Sequence, residues 1–245
     1  MERKIHLLLI VFLHYCGIVN AQNNESIYNA FLEGDMASWK KTIDSLENLQ
    51  VKPNELKIEL INYQYGYVAW CIGTKNIEEA EKYVKNAERH IHFLESVKYK
   101  LSTVYAYKAA FIGFEIGISP YKAIFIGQES LINANKSVAM DSTNAFGYTQ
   151  LGHIKFYTPK IFGGSKEKAI YYYLKALLLM EDDPELIKQN WNYLNLLATI
   201  IVAFSEAGNY SLAKDYSIKT LKIAPNFDWV RNELYPEILK HYNNG

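Results

Sequence analysis

Apolar residues along this chain recur at intervals of three and four and seldom at two, so the repeating unit is a helix face and not a strand face. The stretch from Asn144 to Leu179 sets the pattern. Tyr148 and Leu151-Gly152 fall on one predicted helix, a glycine loop follows, and Ala169, Tyr173 and Ala176 line a single stripe of the next helix. A stripe of that kind has to face a partner helix. Ser119-Pro120 and Asp183-Pro184 each put a capping residue before a proline suited to the first helical position, which predicts two helix starts. Pro53, Pro159, Pro225 and Pro236 fall between apolar-periodic segments. The spacing predicts an all-α fold.

Within that parse, helix pairs repeat. Asn54 to Ile72 with Ile77 to Leu94 is the first pair, and Ala80, Val84 and Ala87 form its inner stripe. Val97 to Gly117 with Tyr121 to Met140 is the second, carrying Ser130, Ala134 and Ser137. The central stretch is the third. Gln189 to Ala207 with Leu212 to Ile223 is the fourth, with Phe204, Gly208 in the turn, and Ala213. The pairs run over about 54–95, 97–140, 144–180 and 186–224. Flanking pieces at 25–50, with Gly34-Asp35 as a turn and Trp39 beyond it, and at 226–242 read as caps, because each repeat hides its apolar face only against neighbours.

The aromatic followed by Leu151-Gly152 on one helix, and Ala169-x3-Tyr173 on the next, resemble the tetratricopeptide (TPR) repeat. Ala169 and Ala213 hold matching places 44 residues apart, against 34 in the standard repeat, so the units are long and degenerate. Phe162-Gly163-Gly164 and Asn190-Trp191-x-Tyr193-Leu194 are similar to exported bacterial TPR proteins. The resemblance implies an α-solenoid of antiparallel helix pairs with capping helices. It covers most of Gln22 to Gly245 and brings no defined activity.

The first segment reads as an address. Arg3 and Lys4 precede seven consecutive apolar residues, Leu7 to Leu13, and Val19-Asn20-Ala21 gives a small-x-small-like cleavage site. The expectation is a signal peptide at 1–21, one helical repeat domain at 22–245, and a periplasmic or secreted product. The alternative is a lipoprotein cut before Cys16, although Tyr15 and His14 stand where such sites have small residues. The Leu7–Leu13 run is too short to span a bilayer. With 26 basic and 26 acidic residues, the chain has no net field to steer nucleic acid. Beyond the leader only Cys71 remains, which predicts a small buried side chain and no disulfide.

No nucleophile motif, H-E-x-x-H or paired-cysteine spacing occurs, so no catalytic residue, metal or cofactor is expected. His90 and His92, two apart on a helix, point to different sides and cannot share an ion. Gly163-Gly164-Ser165 lacks both phosphate-loop patterns and reads as a tight turn with Ser165 as N-cap; Glu181-Asp182-Asp183 reads as helix capping.

The 20 tyrosines say more, because many sit on the first helix of a pair. In TPR arrays those helices line the concave face, so the resemblance points to Tyr63, Tyr67 and Trp70, to Thr149, His153, Phe156 and Tyr157, and to Asn195 and Glu206 as groove residues. The competing reading buries these rings in a thicker interior. The function expected is a non-catalytic exported scaffold for a protein or peptide partner; a soluble accessory of a TRAP-type transport system and an enzyme are the alternatives.

Overall fold

The computed structural model describes residues 23–243, and the leader, its cleavage site and Cys16 lie outside them. Every regular element among the described residues is helical. Helix α1 (23–33) turns at Gly34, held at φ +69°, into α2 (Met36–Glu47). Four long pairs follow: α3 (Asn54–Gly73) with α4 (Ile77–Ser96), α5 (Leu101–Ile118) with α6 (Ala123–Met140), α7 (Ala145–Tyr157) with α8 (Lys166–Glu181), and, after the single turn α9 (Pro184–Ile187), α10 (Trp191–Glu206) with α11 (Tyr210–Ile223). A wide π-helical turn, Trp229–Leu234, leads into α12 (Tyr235–Asn243).

The helix boundaries follow from capping chemistry. Asn144, Ser165, Asn190 and Asn209 each accept a backbone N–H of the helix they open, which satisfies one donor otherwise left unpaired there. Three predicted starts shift. Val97 to Lys100 form a turn, with Lys98 and Lys100 both left-handed, so α5 begins four residues later than its apolar pattern suggests. Pro120 opens a short 3-10 turn, and Pro184 opens only one turn before Gln189, also left-handed, breaks the chain and Asn190 starts α10. Pro236 is the second residue of α12. The wide turn immediately before it loosens the backbone ladder where a proline has no N–H to give.

The arrangement is helical-repeat-like. The second helices of the four pairs bury equivalent stripes: Ala80, Val84 and Ala87; Ser130, Ala134 and Ser137; Ala169, Tyr173 and Ala176; Ala213, Ser217 and Thr220. The buried hydroxyls are satisfied, Ser130 Oγ by the Ala109 carbonyl on the facing helix and Ser217 Oγ by the Ala213 carbonyl one turn back. Gly152 explains the Leu-Gly pair: a Cβ there would stand 2.3 Å from a ring carbon of Tyr173. Cys71 is a free, buried thiol.

The N-terminal helix does more than cap one end. Phe31 of α1 packs 5.9 Å from Trp39, 5.5 Å from Trp191 and 5.0 Å from Phe227, ring centre to ring centre, and so joins the beginning of the described chain to its end. Trp39 meets Trp191 edge-on at 4.9 Å, and its indole N–H donates to the Tyr63 carbonyl at 2.9 Å. Both indoles lean on Gly66, where a Cβ would fall 2.6 Å from Trp39 and 2.8 Å from Trp191. Tyr65, beside them, contacts Tyr107, Phe114 and Phe146. The first helices of three successive pairs thus converge on an aromatic interior.

Candidate ligand-binding face

Helix α7 positions the most open of the candidate residues. Thr149 is buried and spends its hydroxyl on the Ala145 carbonyl, whereas His153, one turn on, lies half-buried between two tyrosines. Its Nδ1 is 2.9 Å from the Tyr173 hydroxyl and its Nε2 is 3.2 Å from that of Tyr65. Desolvation pushes the imidazole pKa down to about 4, so it is neutral at pH 7, with one nitrogen donating and the other accepting. Burial likewise raises Tyr65 to about 12. Neither hydroxyl is an ionised oxygen.

Farther along α7, Phe156 and Tyr157 carry the face outward. Tyr157 is 75% exposed, its ring 5.0 Å from Phe156 and 6.1 Å from His153. Lys166, at the start of α8, passes over the Phe156 ring at 5.5 Å and pairs with Glu206 at the end of α10 at 2.6 Å. His153, Phe156, Tyr157 and Glu206, drawn from two helix pairs, therefore share one surface: apolar rings over a neutral imidazole, with an ion pair along one side. Asn195 is half-buried farther up α10, where its carbonyl accepts from Thr199.

The α3 residues lie elsewhere. Tyr63 and Tyr67 are interior, and for them the competing reading, rings buried in a thick interior, holds. Tyr63 accepts from Trp39 through its carbonyl, and its hydroxyl reaches Asn24 of α1. Tyr67 packs edge-on against Tyr83 at 4.9 Å and donates to Glu79, itself paired with Lys40. Trp70 alone of the three is part-exposed, stacked on Tyr67 at 5.6 Å. The physical reason for Tyr63 is α1 and α2, which supply Asn24 and Trp39 on its side of α3; Tyr67 is covered by Tyr83 and Glu79 of its own partner helix, α4.

Sequence reasoning missed a second feature: Tyr121, Ile124 and Phe125, with Ile161 and Phe162, are all more than two-thirds exposed. The signal was present in Pro120-Tyr121-Lys122 and Lys160-Ile161-Phe162-Gly163, where large apolar residues sit in turn sequences that have no core to reach. A cleft of about 180 Å³ between α4, α5 and α6 is lined by Glu88, His92, Lys108, Glu115 and Glu129 among others. Burial, then the neighbouring Glu115 carboxylate, raises the Glu88 pKa. His90 faces away from this cleft and bonds Glu47 at 2.8 Å. Among the described residues, no group of three or more His, Cys, Asp or Glu could hold a metal ion, and no helix is long and apolar enough to cross a membrane.

No protein-family model and no curated protein matches the chain. Among solved structures, the chain is similar to the HusA haemophore from Porphyromonas gingivalis, with a TM-score of 0.60 and 16% sequence identity, over 76% of this chain and 93% of that one. At such identity the likeness speaks for the fold, a helical arrangement shared with a haemophore.

Proposed function

We propose that the chain is an exported, non-catalytic binding protein, with a leader at 1–21 and one degenerate TPR-like domain at 22–245, that receives a protein or peptide partner. The observation that carries this reading is the meeting of His153, Phe156, Tyr157 and Glu206 on one surface beside Lys166. Tyrosine and phenylalanine offer large contact area at low entropic cost, and the Lys166–Glu206 pair supplies polar register at the rim. Because α1 fills the space in front of α3, the docking surface is the α7 face and not a continuous groove.

A second reading is favoured by the similar structure, a haemophore. Phe156 would offer a tetrapyrrole such as haem an apolar ring, and the exposed Tyr157 phenol is of a type that ligates haem iron. One pair of measurements separates the two. A photo-crosslinker at position 157 should give a discrete protein adduct in the native envelope that the same probe at Tyr171, exposed on α8, does not give. Haemin titration should leave the Soret band unchanged if the partner is a protein. A saturating one-to-one Soret shift abolished by Tyr157→Ala, with no adduct, establishes the second reading; absence of both removes the α7 face.

A further inference from the structure

We propose that Glu59 is a proton-operated latch for α1: with a proton on its carboxyl the helix is held against α3, and with the carboxyl ionised the helix is released. This goes beyond the partner face and uses different residues. Two buried acceptors on α3 have nothing to accept, Glu59 Oε2 and, three residues on, Asn62 Oδ1. Side chains three apart on a helix are neighbours, so one proton on Glu59, donated to Asn62, satisfies both atoms. An ionised Glu59 cannot do this. It has only lone pairs to offer, and a buried acceptor without a donor is costly.

The link to α1 runs through Tyr63. Its hydroxyl donates to the Asn24 side chain of α1 over a long 3.4 Å, and it stands one turn from Glu59, where burial first and then the Glu59 charge raise the phenol pKa. A phenol has one proton to give. While Glu59 is protonated that proton goes to Asn24; once Glu59 is ionised, the carboxylate is the better acceptor, because a hydrogen bond to an ionised oxygen is about twice as strong as a neutral one. Tyr63 then turns to Glu59 and its bond to α1 is lost. The Ser26–Thr42 contact between α1 and α2 is equally long at 3.4 Å, which leaves the apolar packing of Ile27, Ala30 and Phe31 to hold the helix. The groups around Glu59 set the range in which the latch works. Burial raises its pKa to about 7, Lys100 at the start of α5 opposes, and Glu55, which accepts from Tyr99, adds to it; the α1 residue that reaches Tyr63 is the uncharged Asn24. The proton leaves to solvent as pH rises through about 7.

The test is amide hydrogen exchange of the full chain, read by mass spectrometry about one and a half pH units either side of that value and corrected for the intrinsic rate. In the parent, α1 should lose protection about three- to tenfold on the alkaline side, the worth of one hydrogen bond, while α10 keeps its own. Glu59→Gln, whose amide donates to Asn62 as the acid does, should keep α1 protected on both sides. Tyr63→Phe, without the hydroxyl, should leave α1 at the lower protection on both. Equal α1 protection in the parent at the two pH values, or a pH dependence that survives in Glu59→Gln, overturns the proposal. So does a loss shared equally by α1 and α10, since the proton would then act on the whole fold and not on one helix.

Discussion

Aromatic residues meet opposite fates in two parts of this molecule. On α3, Tyr63, Tyr65 and Tyr67 are interior, enclosed by Trp39, Trp191, Tyr83 and Tyr107; on α7 and the turns beside it, Tyr157, Phe125 and Phe162 stand in solvent. The residue types are alike and both sets lie on or beside first helices. What differs is the neighbour. An additional helix, α1, lies across the first-pair side, carrying Phe31 to Trp39 and Trp191, whereas among the described residues the large apolar side chains at the far ends of α5 and α7 stand exposed. Position on a repeat decides which way a ring points; whether it is covered depends on what the chain places there.

The largest effect should come from the covered side. Trp39 is buried, touches Phe31 and Trp191, and satisfies the Tyr63 carbonyl. Trp39→Ala should cost about 3–5 kcal/mol, a cavity term plus the lost hydrogen bond. Urea unfolding measures it, and a loss below about 1 kcal/mol would mean that α1 and α2 do not close the array as described.

Next come the close approaches within the repeats. Ala213→Leu forces a branched side chain into a fully buried contact, and Gly152→Ala sets a Cβ against the Tyr173 ring. Each should cost about 1–3 kcal/mol. An unchanged melting temperature for either would show that the repeat register is misassigned.

How much of this was legible follows from the range of the forces involved. The second-helix stripes, such as Ala169, Tyr173 and Ala176, were readable because packing along a helix repeats every three to four residues. The Ser165 cap was readable because capping is local chemistry. The start of α5 was not, since two lysines in left-handed conformation end the preceding helix without a glycine to mark the place. The interior fate of Tyr63 and Tyr67 was not readable either. For Tyr63 it rests on Trp39, 24 positions earlier, and on Asn24 of α1, and for Tyr67 on Tyr83 and Glu79 across the turn in α4; periodicity holds no information about which side of a helix such neighbours cover. His153, Phe156 and Tyr157 could be grouped in advance because one helix carries all three.

Acidity sharpens the comparison, because each region holds a group displaced to between about pH 4 and 7. Glu59 on α3 has a carboxyl oxygen buried without a partner, and burial, with Lys100 opposing and Glu55 adding, raises its pKa to about 7. A folded-state pKa above the unfolded one stabilises the fold at low pH, and that stability is lost as pH rises from about 4.5 through 7. His153 on α7 is shifted the other way: with its folded pKa near 4, stability is intact above about 6.5 and is lost as pH falls toward 4. The two slopes oppose each other between about pH 4.5 and 6.5. Subtracting the parent melting curve, Glu59→Gln should gain stability relative to the parent as pH rises, and His153→Gln should gain it as pH falls. Two difference curves of the same sign would contradict the assignment of both groups.

The smallest effect belongs to the open side. Phe162 is 74% exposed in a turn, so Phe162→Ala removes little buried area and should change stability by no more than about 0.5 kcal/mol. Tyr67→Ala, in which the ring lost is enclosed by Tyr83 and Trp70 and its hydroxyl is bonded to Glu79, should cost about 3–5 kcal/mol. The two changes truncate aromatic rings of nearly equal size, so the difference between them measures coverage together with the lost Tyr67–Glu79 hydrogen bond. Chemical denaturation of both variants against the parent gives that difference directly. Equal losses would mean that the turn carrying Phe162 is packed against the body of the protein, and the contrast between a covered α3 and an open edge would disappear.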